Sequence, residues 1–311
     1  MITESYYFHF DVVMQILEAI RNDKDNVCLS LDLNLTQKVW QIAQDRLILD
    51  NDAQIDAQID TQIDTQIDTQ IDTQIDTGIE TGIDAKQLET VLAFKNKIFI
   101  FKNNMLTPVE VRSDGYYKLV PTTSAPTLEI NGIKMHRSKD IDPLTDARLK
   151  TQLVVAPGDL VLDTCGGLGY SAVFALKAGA KKVISTEKSP AVIKIRNLNP
   201  WLKKYADNCL ELIHTDISQE IDRFENGQFN SVIHDPPRFT SATGDLYGKK
   251  FYDALFRVMA SRSKLFHYTG SPKKIKSKKN FIKNTMKRLE QSGFKALFFH
   301  ENLQGIYAQK R

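Results

Sequence analysis

Four acids close four apolar runs in the second half of the chain: "VLD" ends on Asp163, "ISTE" on Glu187, "IHTD" on Asp216 and "VIHD" on Asp235. Strands that alternate with helices pair in parallel, so their C-terminal ends share one edge, where open α/β sheets bind ligands. One acid at a strand tip means little; four in order are hard to explain by solubility. Between the first two, "DTCGGLGYSA" joins strand to helix. Gly167-x-Gly169-x-x-Ala172 fits a turn whose small residues let a ligand approach the backbone. Glu187 follows Gly169 by eighteen residues, a spacing at which an acid can accept hydrogen bonds from ribose hydroxyls, and Asp216 can approach an adenine edge. Asp235 opens "DPPRF". Proline cannot donate to a ladder and restricts the residue before it, so two in succession stop the strand and hold the carboxylate rigidly.

The elements that must position these residues read as alternating β and α. "DPLTDARLKTQLV" has Asp142 as N-cap and Pro143 at the first helical position. Strand "DLVLDTC", helix 171–178, "KVISTE", helix 189–198, "LELIHTD", "FNSVIHD", helix 249–260, "KLFHYTG", helix 278–291, "KALFFHE" and "IYAQKR" follow. This pattern predicts a doubly wound, mostly parallel α/β sheet. The last two strands have only a short link and should pair antiparallel.

Residues 1–135 read as a separate α+β domain. "VVMQILEAI" and "TQKVWQIAQ" predict helices, and "VCLSLDL", "RLILD", "KIFIFK", "VEVRSDGYYKLV" and "TLEINGIKM" predict strands. Residues 51–84 repeat a four-residue Ile-Asp unit. On a helix its isoleucines would drift around the surface and its acids would repel at i, i+4. The expectation is a low-complexity insertion in a surface loop, with a small adhesion element as the alternative.

Composition is that of a soluble globular protein, with 42% apolar and 25% charged residues. No run approaches a membrane span, the N-terminus does not read as a signal peptide, and three scattered cysteines fit a reducing cytoplasm. No cysteine–histidine spacing suits zinc. The net charge of +3 conceals ten acids and no base in residues 50–84, so the remainder carries +13. A basic body points toward a polyanionic partner.

With these motifs in place, residues 150–311 resemble a class I S-adenosylmethionine (SAM) dependent methyltransferase, nearest to a group of predicted prokaryotic methyltransferases with an N-terminal extension. The resemblance covers about half the chain. It implies a Rossmann-like methyltransferase domain over 136–311, with SAM held by Asp163, Cys165, Gly166, Gly167, Gly169 and Tyr170 in the loop. Glu187 and Lys188 would meet the ribose and Asp216 and Ile217 the adenine. Asp235, Pro236, Pro237, Arg238 and Phe239 match the Asp/Asn-Pro-Pro-aromatic motif that holds an amine nitrogen for in-line attack. Asparagine also occurs at this motif position, so Asp235→Asn is expected to keep more activity than Asp235→Ala.

Arg238 replaces the aromatic of that motif, which makes DNA adenine a poorer substrate; similar Asp-Pro-Pro-x-Phe runs in ribosomal RNA methyltransferases keep RNA in view. Lys273, Lys274, Lys276 and Lys278 lie in a basic stretch beside the predicted pocket and would hold phosphates, or form only a solvated helix face. His136 and Arg137 either reach over the cofactor, Arg137 pairing its carboxylate, or are linker residues. His234 and His267 are expected to be packed rather than to act as bases, and Cys165 to be a packed residue rather than a nucleophile. The competing readings are a protein or small-molecule methyltransferase, an aminopropyltransferase (from "LYGKKFYDALF"), a nicotinamide enzyme, and a non-enzymatic SAM- or RNA-binding module.

Overall fold

A computed structural model describes residues 5–49, 82–205, 208–270 and 275–311, with side chains from 279 onward in the last span. Contacts divide the chain into two units, one comprising 1–31, 36–95 and 99–107, the other 32–35, 96–98 and 108–311.

The first unit carries β1 (Tyr6–Phe8), α1 (Phe10–Arg21), β2 (Asn26–Leu29), β3 (Lys38–Ala43), β4 (Arg46–Ile48), β5 (Gly82–Asp84), α2 (Ala85–Glu89), β6 (Phe99–Lys102) and β7 (Met105–Pro108). Two small antiparallel sheets, β2-β3-β4-β5 and β1-β6-β7, share a core around Phe8, Ile16, Leu47, Ile83 and Phe101. Two expectations change here. "TQKVWQIAQ" forms β3 rather than a helix. Trp40 is buried while Val39 and Gln41 face out, and Gln44 and Asp45 both take positive φ, the two-residue turn that joins twisted strands. The acidic repeat also stops short of 84. Gly82–Asp84 pairs with β4, Ile83 is fully buried, and Asp84 caps α2 through the Gln87 N–H. Residues 51–81 of the repeat lie outside the described residues.

The second unit begins with a small antiparallel sheet of β8 (Glu110–Arg112), β9 (Tyr116–Val120), β10 (Thr127–Ile130) and β11 (Ile133–Lys134). These strands belong with the larger unit, so the boundary falls near 107 and not at 135. There follow α3 (Pro143–Gln152), β12 (Leu160–Asp163), α4 (Tyr170–Lys177), β13 (Lys182–Glu187), α5 (Pro190–Asn197), α6 (Pro200–Lys203), β14 (Leu210–His214) and α7 (Ile217–Glu220). The unit is completed by β15 (Phe229–His234), α8 (Lys249–Val258), β16 (Met259–Tyr268), α9 (Ile275–Gln291), β17 (Lys295–His300) and β18 (Gly305–Gln309). Asp142, Ser189 and Asn199 each cap a helix that starts on proline, the pairing of a side-chain acceptor with a residue that has no N–H to satisfy.

The large sheet has the order β14-β13-β12-β15-β16-β18-β17. β18 runs antiparallel to both its neighbours, and the adjacent pairs from β14 to β16 are parallel. Its central strands are apolar on both faces because helices cover both. Leu162, Val232 and Leu265 pack to one side, and Val161, Ile233 and Phe266 to the other. This is a doubly wound, Rossmann-like sheet, as the alternation in the sequence predicts, and of the methyltransferase type that the resemblance implies.

Candidate active site

Strand order sets Asp216, Glu187, Asp163 and Asp235 side by side along one edge of the sheet. The glycine loop closes over the second and third of these. Gly166 donates to the Thr186 carbonyl, and a Cβ there would stand 2.1 Å from Ser185 Oγ. Gly167 takes φ +51°, and no atom lies within 4 Å of where its Cβ would point. Side chains are thus excluded by backbone geometry where the loop faces open space. Gly167 N–H donates to Glu187 Oε2 (3.0 Å) and Ser189 N–H to Oε1 (2.8 Å). Each carboxylate oxygen therefore keeps accepting capacity, which suits the two hydroxyls of a ribose.

Asp163 works beneath the loop and not on its surface. It is fully buried, and its Oδ2 accepts from Ser171 and Ser185. Burial raises its carboxyl to about 6 against the pull of those hydroxyls. Tyr170 is likewise structural: its buried hydroxyl donates to the Pro126 carbonyl and accepts from Asn199. Ile217 is in the core. Asp216 caps α7 through Ser218 and pairs with Lys188 at 2.7 Å; burial would raise its carboxyl, but Lys188 and Ser218 hold it below the usual range. Cys165 is half-buried, and burial together with Glu187 pushes its thiol well up, as a packed neutral residue requires.

Asp235 stands at the tip of β15 and is tied from behind. Lys150 Nζ donates to Asp235 Oδ2 at 2.7 Å and pairs with Asp146 Oδ2 at 2.7 Å, while lying 4.1 Å above the Tyr268 ring. Burial would lower the Lys150 ammonium, but Asp235 and Asp146 outweigh it and raise it. Asp146 Oδ1 takes Arg137 Nη1 at 3.0 Å, and the same nitrogen donates to the Asn302 carbonyl. Arg137 Nη1 is therefore committed to this cluster. His136 packs on the Tyr170 ring; burial and the Lys150 cation pull its imidazole down to about 4.

Behind the strand tip, two imidazoles lie tilted against each other with centroids 4.5 Å apart. His234 Nε2 faces the Leu246 carbonyl at 2.9 Å and must carry the proton, so Nδ1 accepts from Thr164 at 2.7 Å. His267 Nδ1 faces the His234 carbonyl, so its Nε2 accepts from Tyr252. Burial pulls His234 down to about 4 and His267 well below its ordinary value, so both are neutral braces. His234 thereby links the glycine loop to the segment carrying Tyr247, whose hydroxyl donates to the Pro237 carbonyl at 2.8 Å. Pro236 is buried, and Pro237, Arg238 and Phe239 are exposed. The Phe239 ring lies 5.4 Å from both Tyr247 and Phe281.

The sequence reading missed Lys150, Asp146, Tyr247 and Tyr268. The Asp146–Lys150 spacing of i, i+4 was the one visible sign of a pair on α3. Lys273 and Lys274 lie outside the described residues, as do the side chains of Lys276 and Lys278. Among the described residues no cluster could hold a metal ion, and no helix is long and apolar enough to cross a membrane.

Sheet order, glycine loop and facing acid define a Rossmann-like fold of the methyltransferase type. The chain belongs to the family of the uncharacterized protein MJ1233 of Methanocaldococcus jannaschii, to which it is 34% identical over 294 residues, 94% of this chain and 92% of that protein. No protein-family model matches it. Among solved structures it is similar to spermidine synthase in complex with the transition state analogue AdoDATO (TM-score 0.53, 18% identity, 68% of this chain and 76% of that one). It is also similar to spermidine synthase from Thermotoga maritima (TM-score 0.52, 17% identity, 67% and 76%). These two likenesses are likenesses of fold.

Proposed function

We propose that the protein is a SAM-dependent methyltransferase that modifies an amine nitrogen, with RNA as the substrate class. The observation that carries this reading is the placement of Asp235. It is a rigid carboxylate at the tip of the strand beside the glycine loop, with Oδ2 held by Lys150 and Oδ1 taken by no described residue.

Gly166, Gly167 and Glu187 would hold the nucleoside part of SAM. When bound, SAM supplies a methyl carbon on a sulfonium that accepts a lone pair as the carbon–sulfur bond breaks, its electrons passing to sulfur. The protein's part is aim. Asp235 Oδ1 would accept one hydrogen of the amine, and a backbone carbonyl of the Asp-Pro-Pro turn would take another. With both N–H bonds held, the nitrogen lone pair is left for attack, and the displaced proton goes to solvent. Positioning of this kind lowers a barrier without a strong base. Burial disfavours a protonated His234 or His267 and their ring nitrogens already have partners, which agrees with a site that aims rather than deprotonates.

Support for RNA is the +13 charge outside residues 50–84, the lysine row of α9 in which Lys279, Lys283 and Lys287 are exposed, and the exposed ring of Phe239, on which a base can stack. The test is radiolabelled SAM with fractionated lysate of a deletion strain. Label should enter an RNA fraction, and Asp235→Ala should cut its incorporation severely while leaving SAM affinity within a few-fold. Reversing Lys273, Lys274, Lys276 and Lys278 to Glu should remove RNA binding alone. Label in protein or small molecules would overturn the substrate class.

The fold likeness to spermidine synthase favours a second reading, aminopropyl transfer to a polyamine. It requires decarboxylated SAM, so competition between the two nucleosides in calorimetry separates the readings.

A further inference from the structure

Resting on the amine-transfer reading above, we propose that Lys150 makes the acceptor site selective for an uncharged planar amine and against an alkylammonium such as a polyamine. Arg137, Asp146, Lys150 and Asp235 form one connected cluster of two cations and two anions. A lone carboxylate at a strand tip would be a strong receptor for an ammonium ion. Here the carboxylate is already ion-paired, and an incoming cation would face a second cation one carboxylate away.

A neutral amine asks less. It needs only an acceptor lone pair in a fixed direction, and Asp235 Oδ1 retains one because the Lys150 bond is made to Oδ2. Lys150 has no freedom to swing aside. It is buried, two of its hydrogens go to the two aspartates, and its Nζ lies over the Tyr268 ring. The exposed Phe239 ring, four residues after Asp235 and packed against Tyr247 and Phe281, offers a flat face. Such a face attracts cations as well as planar bases. The rings alone therefore do not choose, and the charge balance does.

Lys150 would thus be a positioning and selectivity residue. The test titrates spermidine, without SAM, into the wild type, Lys150→Met, Lys150→Arg and Asp235→Ala by calorimetry. The methionine variant keeps the volume and removes the charge. The arginine variant keeps the charge and alters the shape. The wild type should show no spermidine binding that depends on Asp235, and Lys150→Arg should behave like it. Lys150→Met should gain at least about tenfold in affinity, a gain that adding Asp235→Ala removes. A role in packing alone would move both Lys150 variants alike, and that result overturns the proposal. Should Lys150→Met fail to fold, the comparison of wild type with Asp235→Ala decides by itself. Spermidine binding lost in Asp235→Ala overturns the selectivity, and equal or absent binding upholds it. A protein that binds no SAM refutes the function proposed above while leaving this comparison intact.

Discussion

Asparagine at position 235 should be no better a catalyst than alanine, although the motif by itself suggests the opposite. The reason is the cation behind it. Lys150 only donates, so in Asp235→Asn it claims the amide oxygen and turns the NH2 toward the acceptor site. A donor then meets the hydrogens of the amine. Loss of a charge-assisted acceptor is worth about 1.5–3 kcal/mol. With opposed donors added, a total near 3 kcal/mol corresponds to a rate loss of roughly a hundredfold. Stability should run the other way. The Asp235 side chain is 31% exposed and Lys150 keeps Asp146, so the loss falls below that of a fully buried pair. It comes to about 2 kcal/mol for alanine and about 1 kcal/mol for asparagine, which retains a neutral bond. Radiolabel incorporation into the RNA fraction measures the first effect, thermal melting the second, and calorimetry confirms that SAM still binds. Adding Lys150→Met to Asp235→Asn releases the amide and should recover about tenfold of the loss by restoring an acceptor. An asparagine single variant that keeps near-wild-type transfer, with alanine inactive, would refute this account of Lys150.

Glu187→Ala should weaken SAM binding by about 1–3 kcal/mol in calorimetry, because it also strands the N–H groups of Gly167 and Ser189. Deleting residues 50–81 should leave the melting temperature nearly unchanged, since closure cost varies slowly with loop length. Extending the deletion through 84 should cost about 2 kcal/mol or more by removing buried Ile83 and the cap of α2. Acid should also destabilise the second unit. His136 and His234 are pulled down to about 4 when folded, against 6.5 unfolded, so between those values the unfolded chain binds more protons and stability is lost as pH falls. Asp163, raised to about 6, works the other way over an overlapping range. Melting between pH 7 and 4.5 should therefore show a decline that is shallower in His234→Gln.

The sheet was legible because its central strands are apolar on both faces and three of its helices begin with a capping side chain followed by proline. Those are local signals. β3 was misread because Val39, Trp40 and Ile42 suit either period, and the decision rests on pairing with β2 and β4. The glycine loop and Glu187 were legible because a fixed spacing spans one β–α–β unit. Lys150 was not, because 85 residues separate it from Asp235 and no spacing rule reaches so far. Asp163 and Tyr170 show a different gap. Their place in the motif was evident, but whether a motif residue faces the ligand or supports the loop depends on packing partners such as Ser185, Pro126 and Asn199.

β18 has a consequence for synthesis. It lies between β16 and β17, so β17 joins the sheet only through a strand translated after it. A nascent chain that has emerged as far as His300 presents β16 with an unpaired backbone edge, bearing Leu265 and Phe266, and has nothing yet to cover it. Such an edge invites pairing with other chains. A ribosome stalled before Gly305, or a frameshift there, would therefore deprive the sheet of two strands rather than one and leave a sticky product for the cell's chaperones and proteases.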